Sequence, residues 1–227
     1  MRRPALHLAL LTAFALAGSA VQAQSSCSSD RAPAPAALLE RFINADCDSC
    51  WADPATVRAG RGDLPLDWIV PGARGDDAPL AMAATRDALE RLEALGRPRP
   101  LPADSVRAAR QGNGGRLRVA HGLPFNGYVG TSIELQGASG GPWQAWLALV
   151  ETLPAGTEGS PVERNLVRNL LVLSWPAGPG RRFESRPMAI PEGTHPERLR
   201  VVGWVADARG AIRAISASRC GPAGGRR

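Results

Sequence analysis

The first half of the chain alternates short apolar runs with one long amphipathic stretch. The runs at residues 37–43 and 64–70 each predict a strand, and residues 51–59 are expected to form a short helix between them. From residue 78 to 96 apolar side chains recur at helical spacing, and Gly96 stands where a C-cap glycine belongs, so this stretch predicts a helix. The order strand, helix, strand, helix is typical of an α/β layer.

Strand patterns dominate the second half of the chain. A Pro- and Gly-rich connection over residues 97–115, with one helical turn expected at 104–110, precedes them. Residues 160–175 fit either a helix, since Ser160 and Glu163 form a capping box, or a strand, since the run LLVLSW is apolar. Strands are predicted at 116–120, 128–136, 143–151 and 181–190, followed by a β-hairpin over 198–219 with its turn at Asp207 to Gly210.

The two patterns divide the chain into two expected domains. Residues 37–138 should form an α/β domain, and residues 139–220 a β-rich, sandwich-like domain. A Ser-, Ala- and Pro-rich stretch at 24–36 predicts a flexible arm, and residues 221–227 are expected to form a disordered tail.

The first residues have the features of a secretory signal peptide over 1–23. Arg2 and Arg3 form a positive segment, residues 5–17 are apolar, and small residues precede an expected cleavage site after Ala23. The apolar run is shorter than the roughly 20 residues that cross a bilayer. We therefore expect a periplasmic or secreted protein with no membrane span.

The charge of the chain does not favour a nucleic-acid partner. The formal net charge is +6, and all of the 27 basic residues are arginines. These arginines are scattered along the chain, with only one Tyr and four Phe, whereas nucleic-acid binding needs basic and aromatic side chains clustered on one element. We expect no nucleic-acid partner and no cofactor.

Four cysteines remain after the expected cleavage, at Cys27, Cys47, Cys50 and Cys220. An even number in an oxidising compartment predicts disulfides, and four cysteines allow three pairings. The simplest arrangement joins Cys47 to Cys50 locally and ties the chain ends together through Cys27 and Cys220. Each cysteine then has a partner without the two bridges crossing.

The C-x-x-C stretch has the spacing of a redox pair. Two intervening residues let the first turn of a helix bring both sulfurs within bonding distance, so Cys47 is the expected nucleophile and Cys50 the resolving thiol. A permanently oxidised, structural pair is the alternative. Zinc would need two further ligands, and the candidates, Cys27, Cys220, His121 and His195, are not paired with one another locally, so no metal site is predicted.

Two acidic residues, Asp46 and Asp48, flank Cys47. Their negative charges are expected to raise the pKa of the Cys47 thiol, because like charges disfavour the thiolate. A helix N-terminus acts in the opposite direction by about 1 kcal/mol or less. Since a disfavoured thiolate destabilises the reduced form, we expect a reduction potential of about −230 to −270 mV.

The stretches LLERFINADCDSCWADP, LDWIVPG, MAATRDALERLEALG and AHGLPFNGYVG resemble a family of secreted bacterial proteins, the domain of unknown function 1223. The resemblance extends from about residue 37 to 217 and is sharp only at the cysteine pair. It implies a thioredoxin-like fold for residues 37–138. It also implies a cis peptide bond between Leu123 and Pro124 that faces the cysteines and docks an extended substrate, with Pro142 as the other candidate.

We therefore expect an exported protein that performs thiol–disulfide exchange or redox sensing through Cys47 and Cys50. Its expected partner is a protein thiol or disulfide. The alternative is a non-catalytic binding or structural protein whose cysteines are all permanently oxidised. The two classes differ in whether the Cys47–Cys50 pair is reduced and reoxidised while the protein is folded.

Overall fold

The computed structural model describes residues 27–112 and 114–220. The expected signal peptide, its cleavage site after Ala23 and the expected tail at 221–227 lie outside the described residues. Strands account for 48% of the structure and helices for 11%. Neither described α-helix is long and apolar enough to cross a membrane.

The described residues form twelve strands and two α-helices. The helices are α1 (Asp48–Trp51) and α2 (Arg86–Ala94). The strands are β1 (Cys27–Ser28), β2 (Ala37–Asn44), β3 (Asp63–Val70), β4 (Ala103–Ala109), β5 (Arg116–His121), β6 (Tyr128–Gln136), β7 (Trp143–Leu153), β8 (Arg164–Trp175), β9 (Arg182–Ala189), β10 (Leu199–Asp207), β11 (Ile212–Ala217) and β12 (Arg219–Cys220).

Seven strands form a mixed sheet in the order β11-β10-β7-β8-β3-β2-β4. The neighbours β2, β3 and β8 run parallel, and the other pairs are antiparallel. The Gln111 amide, just after edge strand β4, donates to the Ile212 carbonyl of the opposite edge strand β11 at 2.8 Å. The sheet therefore curls until its two edges meet at one end.

The concave side of this sheet encloses an apolar core. Helix α2 packs on β3 and adds Ala88 and Leu92 to that core, whose largest fully buried members are Phe42, Trp68 and Trp204. Burial of an apolar side chain of this size contributes about 1.5–3 kcal/mol, so the core is the main source of stability on this side.

Five strands form a second, antiparallel sheet in the order β12-β1-β5-β6-β9. It packs on the other side of the seven-stranded sheet through a second apolar cluster that includes Ile133, Leu147 and Leu149. The sheets approach closely at Gly203, where a Cβ would lie 2.6 Å from Cγ1 of Val119. A side chain at residue 203 would therefore push the sheets apart.

The expectation of a thioredoxin-like α/β domain is wrong. The structure is mostly β-sheet, and the seven-stranded sheet combines β2, β3 and β4 with four strands that follow residue 138. The ambiguous run at 160–175 is the reason, because it forms strand β8 and lies between β7 and β3. The strand joins the two halves of the chain in one sheet.

Three local predictions also differ from the structure. The helix expected over 78–96 is confined to α2, because Thr85 caps its N-terminus by accepting a hydrogen bond from the Ala88 amide at 3.3 Å. The helical turn expected at 104–110 is strand β4, which pairs with β2. Residues 27 and 28 of the expected flexible arm form strand β1, which pairs with both β5 and β12.

Apart from the two-residue strand β12, the remaining strands agree with their predicted ranges to within a few residues. The hairpin of β10 and β11 is confirmed, and its turn is stabilised by Asp207, whose carboxylate accepts from the amides of Arg209 and Ala211. Gly96 has the positive φ (63°) expected of a C-cap glycine.

Candidate functional site

The Cys47–Cys50 disulfide lies directly after strand β2, at the start of α1. The Cys47 amide donates to the Asn44 carbonyl at 3.0 Å, and the Cys50 amide donates to Sγ of Cys47 at 3.2 Å. Both cysteines are half-buried. The predicted local pairing is confirmed, and the surface position leaves the disulfide open to attack by another thiol.

The helix that carries the pair is shorter than the sequence predicts. It spans Asp48–Trp51, not residues 51–59, and Ala52 is already its C-cap. A single helical turn sums few peptide dipoles, so it stabilises a thiolate at Cys47 only weakly. Charged side chains around the pair therefore matter more than the helix for its redox properties.

The two acidic residues beside Cys47 have different roles. The Asp46 carboxylate accepts hydrogen bonds from the amides of Ala73, at 2.7 Å, and Arg74, at 3.3 Å. Its charge is thus partly satisfied by the loop that follows β3. Asp48 is exposed, and its carboxylate accepts a hydrogen bond from its neighbour, the Ser49 amide, at 2.9 Å. The charge of Asp48 is therefore less compensated by hydrogen bonds than that of Asp46.

Gly72 permits the contact between Asp46 and the loop after β3. A Cβ at residue 72 would lie 2.3 Å from Oδ1 of Asp46. We expect Gly72→Ala to lower the free energy of unfolding by about 1–3 kcal/mol, because Asp46 must move away from its two amide donors. Denaturant unfolding of the oxidised protein measures this change.

Gly130→Ala is the matched control, because a Cβ at that position has no heavy atom within 4 Å and its backbone φ is not positive. We expect the control to change stability by less than about 0.5 kcal/mol. Equal losses in the two variants would show that the Asp46 contact is not what Gly72 protects.

A buried ion cluster packs against α1. Asp67 of β3 is fully buried and binds two arginines, Arg41 at 2.7 Å and Arg164 at 3.1 Å. The Arg164 guanidinium also donates to the Trp51 carbonyl at 2.7 Å and lies over the Trp51 ring at 4.9 Å. The cluster therefore ties the last residue of α1 to strands β2, β3 and β8.

Further hydrogen bonds complete this support. Arg164 donates to the Ser160 hydroxyl, and the Trp51 indole donates to the Glu158 carbonyl at 2.7 Å. Burial lowers the pKa of the Arg164 guanidinium, although arginine stays protonated in proteins. The sequence analysis missed this cluster, since 97 residues separate Arg164 from Asp67 and no local pattern links them.

A groove of about 390 Å³ opens beside Cys50. One of its sides is the start of β4, an edge strand of the seven-stranded sheet, and Arg41 forms part of another. Within the described residues, Nε of Arg41 has no hydrogen-bond partner although it is buried. The other polar side chains along the groove are Asp53, Thr56, Asp104 and Ser105.

The structure does not place the predicted docking residues at the cysteines. The cis peptide bond precedes Pro142, so the prediction of a cis bond between Leu123 and Pro124 is wrong. Both residues lie in the turn between β5 and β6 of the five-stranded sheet, whereas Cys47 follows β2 of the other sheet. Leu123 is 77% exposed. The groove along β4 is the better docking candidate.

The second predicted disulfide, Cys27–Cys220, is confirmed. It joins β1 to β12, and His121 stands opposite Cys27 on the neighbouring strand β5. Burial lowers the pKa of His121, whose Nδ1 lies 2.9 Å from the Gly122 carbonyl oxygen. The ligand atoms of these three residues lie within 4.8 Å of one another, but both sulfurs are committed to the disulfide.

Comparisons of this chain with protein-family models, with curated proteins and with solved structures gave no match. The resemblance to the domain of unknown function 1223 therefore stays a prediction. The site itself is an accessible disulfide in a tight turn, supported by a buried ion cluster and bordered by a groove.

Proposed function

We propose that this protein exchanges disulfides with partner proteins outside the cytoplasm through Cys47 and Cys50. The observation that carries the proposal is a surface disulfide that closes a four-residue turn next to an open groove. Two disulfides within the described residues fit an oxidising compartment.

The reaction begins with a thiolate of the partner, which attacks Sγ of Cys47. The Cys47–Cys50 bond breaks, a mixed disulfide forms, and Cys50 leaves as a thiolate. A second thiolate of the partner then attacks the partner's sulfur in the mixed disulfide and releases Cys47. The partner loses two electrons to become a disulfide, and the Cys47–Cys50 pair gains them.

The groove beside Cys50 supports this reaction in two ways. Arg41 and Arg164 share the single carboxylate of Asp67, so this cluster keeps a net positive charge, and Arg41 lines the groove together with Cys50, where that charge favours the leaving thiolate. The outer edge of β4 offers backbone donors and acceptors to which an extended segment of the partner can pair. Substrates of this site are therefore protein segments that carry a cysteine in an extended conformation.

Alkylation trapping across a series of glutathione ratios tests the proposal. We expect the Cys47–Cys50 pair to titrate in the folded protein with a midpoint of about −230 to −270 mV, while Cys27–Cys220 stays oxidised. The Cys50→Ser variant should accumulate a mixed disulfide at Cys47. A pair that is never reduced in the folded protein would instead indicate the alternative, a non-catalytic protein whose disulfide only holds α1 in place.

Asp48→Ser is expected to raise the reduction potential by about 10–20 mV, because one exposed negative charge beside the thiolate is removed. The same glutathione titration measures the shift. Glu192→Gln removes an exposed acid from a distant loop and serves as the control, with no shift expected. An unchanged potential in Asp48→Ser would contradict the charge argument.

A further inference from the structure

A small cavity of about 180 Å³ opens between β5 of the five-stranded sheet and β11, an edge strand of the seven-stranded sheet. The segment that follows β1, residues 29–34, closes it on a third side. One water molecule takes about 30 Å³ in the liquid, so the cavity has the volume of roughly six waters. It is smaller than the sites that bind drug-sized molecules, and it has room for one small polar group.

The lining of this cavity is strongly basic. It contains four arginines, Arg31, Arg110, Arg116 and Arg118, and among the described lining residues Asp30 is the one acid. Nη2 of Arg118 lies 2.8 Å from Oδ2 of Asp30, and Nη2 of Arg116 lies 3.6 Å from Oδ1. Arg31 and Arg110 form no ion pair with a described residue. Four positive charges and one negative charge leave a net charge of +3 at the cavity.

The acids nearest to the cavity are already compensated. The Asp30 carboxylate accepts hydrogen bonds from Arg118 at 2.8 Å and from the Ser28 hydroxyl at 2.9 Å. The hydrogen bond from Arg118 lowers the pKa of Asp30, so this carboxylate stays ionised and paired. Glu134, whose charge also acts on Arg118, binds Arg181. Neither acid therefore cancels the charge of the remaining arginines.

The backbone at Arg31 is one that arginine rarely adopts. The Ala32 amide donates to the Ser29 carbonyl at 3.1 Å and closes a turn, in which Arg31 has a φ of 64°. A positive φ at the third residue of a turn favours Gly or Asn, because a Cβ is strained there. The turn itself thus does not explain an arginine at this position, whereas an anion bound in the cavity does.

We propose that this cavity binds a phosphate group, as inorganic phosphate or as the end of a phosphate monoester. A net charge of +3 favours an anion with two negative charges over a carboxylate with one. The planar donor fork of a guanidinium matches phosphate oxygens, and the arginines come from three separate parts of the chain, the segment after β1, the end of β4 and β5. Ser29 and Ser216 also line the cavity, and a hydroxyl can donate to a phosphate oxygen.

The phosphate site is independent of the proposed disulfide exchange. The cavity shares no lining residue with the groove beside Cys50. A protein without a redox-active cysteine pair could therefore still bind phosphate here, and the reverse also holds.

Isothermal titration calorimetry of the oxidised protein at pH 8 tests the proposal, with inorganic phosphate, glycerol 3-phosphate and acetate at equal ionic strength. The tighter of the two phosphates should saturate the site with a Kd below about 1 mM and bind at least about tenfold more tightly than acetate. Weaker binding of glycerol 3-phosphate than of inorganic phosphate would assign the site to the free ion, and equal or tighter binding would assign it to a monoester. No saturation by either phosphate below about 10 mM, or equally tight binding of acetate, would overturn the proposal.

Variants then locate the site. Arg31→Gly separates binding from folding, because glycine suits the positive φ at this position, so the variant should unfold at the same Tm or higher. It should nevertheless bind phosphate about three- to tenfold more weakly, and Arg110→Gln should weaken binding by a similar factor. Arg58→Gln is the control, because Arg58 is exposed and does not line the cavity. Phosphate binding that both Arg31→Gly and Arg110→Gln leave intact would refute this location.

Discussion

Replacing Asp67 with alanine is expected to lower the free energy of unfolding by about 3–5 kcal/mol. The substitution leaves Arg41 and Arg164 buried without their shared counter-ion, and the side chain of Arg164 has no exposed surface. It also removes the acceptor of the Asn165 amide, which donates to Oδ2 of Asp67 at 2.8 Å. The loss of stability arises because two buried arginines are left without a counter-ion. Asp67→Asn, which also removes the negative charge, should therefore be nearly as destabilising as Asp67→Ala.

Denaturant unfolding with both disulfides intact measures this loss. Glu184→Ala is the control, because Glu184 also binds an arginine, Arg186, at 2.8 Å, but both side chains are partly exposed. Exposed pairs contribute about 1 kcal/mol or less, so the control should lose no more than that. Similar losses in Asp67→Ala and Glu184→Ala would mean that the buried cluster contributes no more than a surface pair.

Removal of the terminal disulfide through Cys27→Ser and Cys220→Ser should lower the free energy of unfolding by about 2–4 kcal/mol, or Tm by roughly 5–15 °C. The bridge joins residues 193 positions apart and therefore restricts nearly the whole described chain when it is unfolded. Chain entropy alone gives an upper value of about 5 kcal/mol for such a loop. The strands that it joins, β1 and β12, have two residues each and add few other contacts.

Cys47→Ser with Cys50→Ser is the matched control, since it also replaces one disulfide with two serines. That bridge spans a sequence separation of 3, for which the same entropy argument gives about 2 kcal/mol or less. Differential scanning calorimetry of the two double variants measures the difference. If removing Cys47–Cys50 destabilises the protein more than removing Cys27–Cys220, loop length does not govern their contributions.

The pairing of the four cysteines and most strand positions were predictable from the sequence. Strand positions depend on local sequence, since the alternation of apolar and polar side chains identifies a strand such as β6, Tyr128–Gln136. The disulfide pairing was predictable because four cysteines allow few arrangements. The sequence also shows that Asp48 stands next to Cys47, and in the structure Asp48 is exposed. The role of Asp46 was not predictable, because its amide partners at Ala73 and Arg74 lie 27 and 28 residues away.

The arrangement of the strands depended on the tertiary structure. Residues 160–175 contain both a capping box and an apolar strand pattern. The segment forms strand β8 because it lies between β7 and β3, where its backbone groups pair with those of β7. The same pairing joins both halves of the chain in one sheet and excludes a separate thioredoxin-like domain.

The sequence by itself thus determined local elements and covalent links, because alternation, turn residues and cysteine spacing act over a few residues. Only the tertiary structure decided which distant groups meet: Asp67 with Arg164 next to α1, the edge of β4 beside Cys50, and Trp146 with Trp204 against Arg91 of α2. These contacts follow from strand order and sheet curvature. Both arise from the packing of the whole chain, so no short segment of the sequence predicts them.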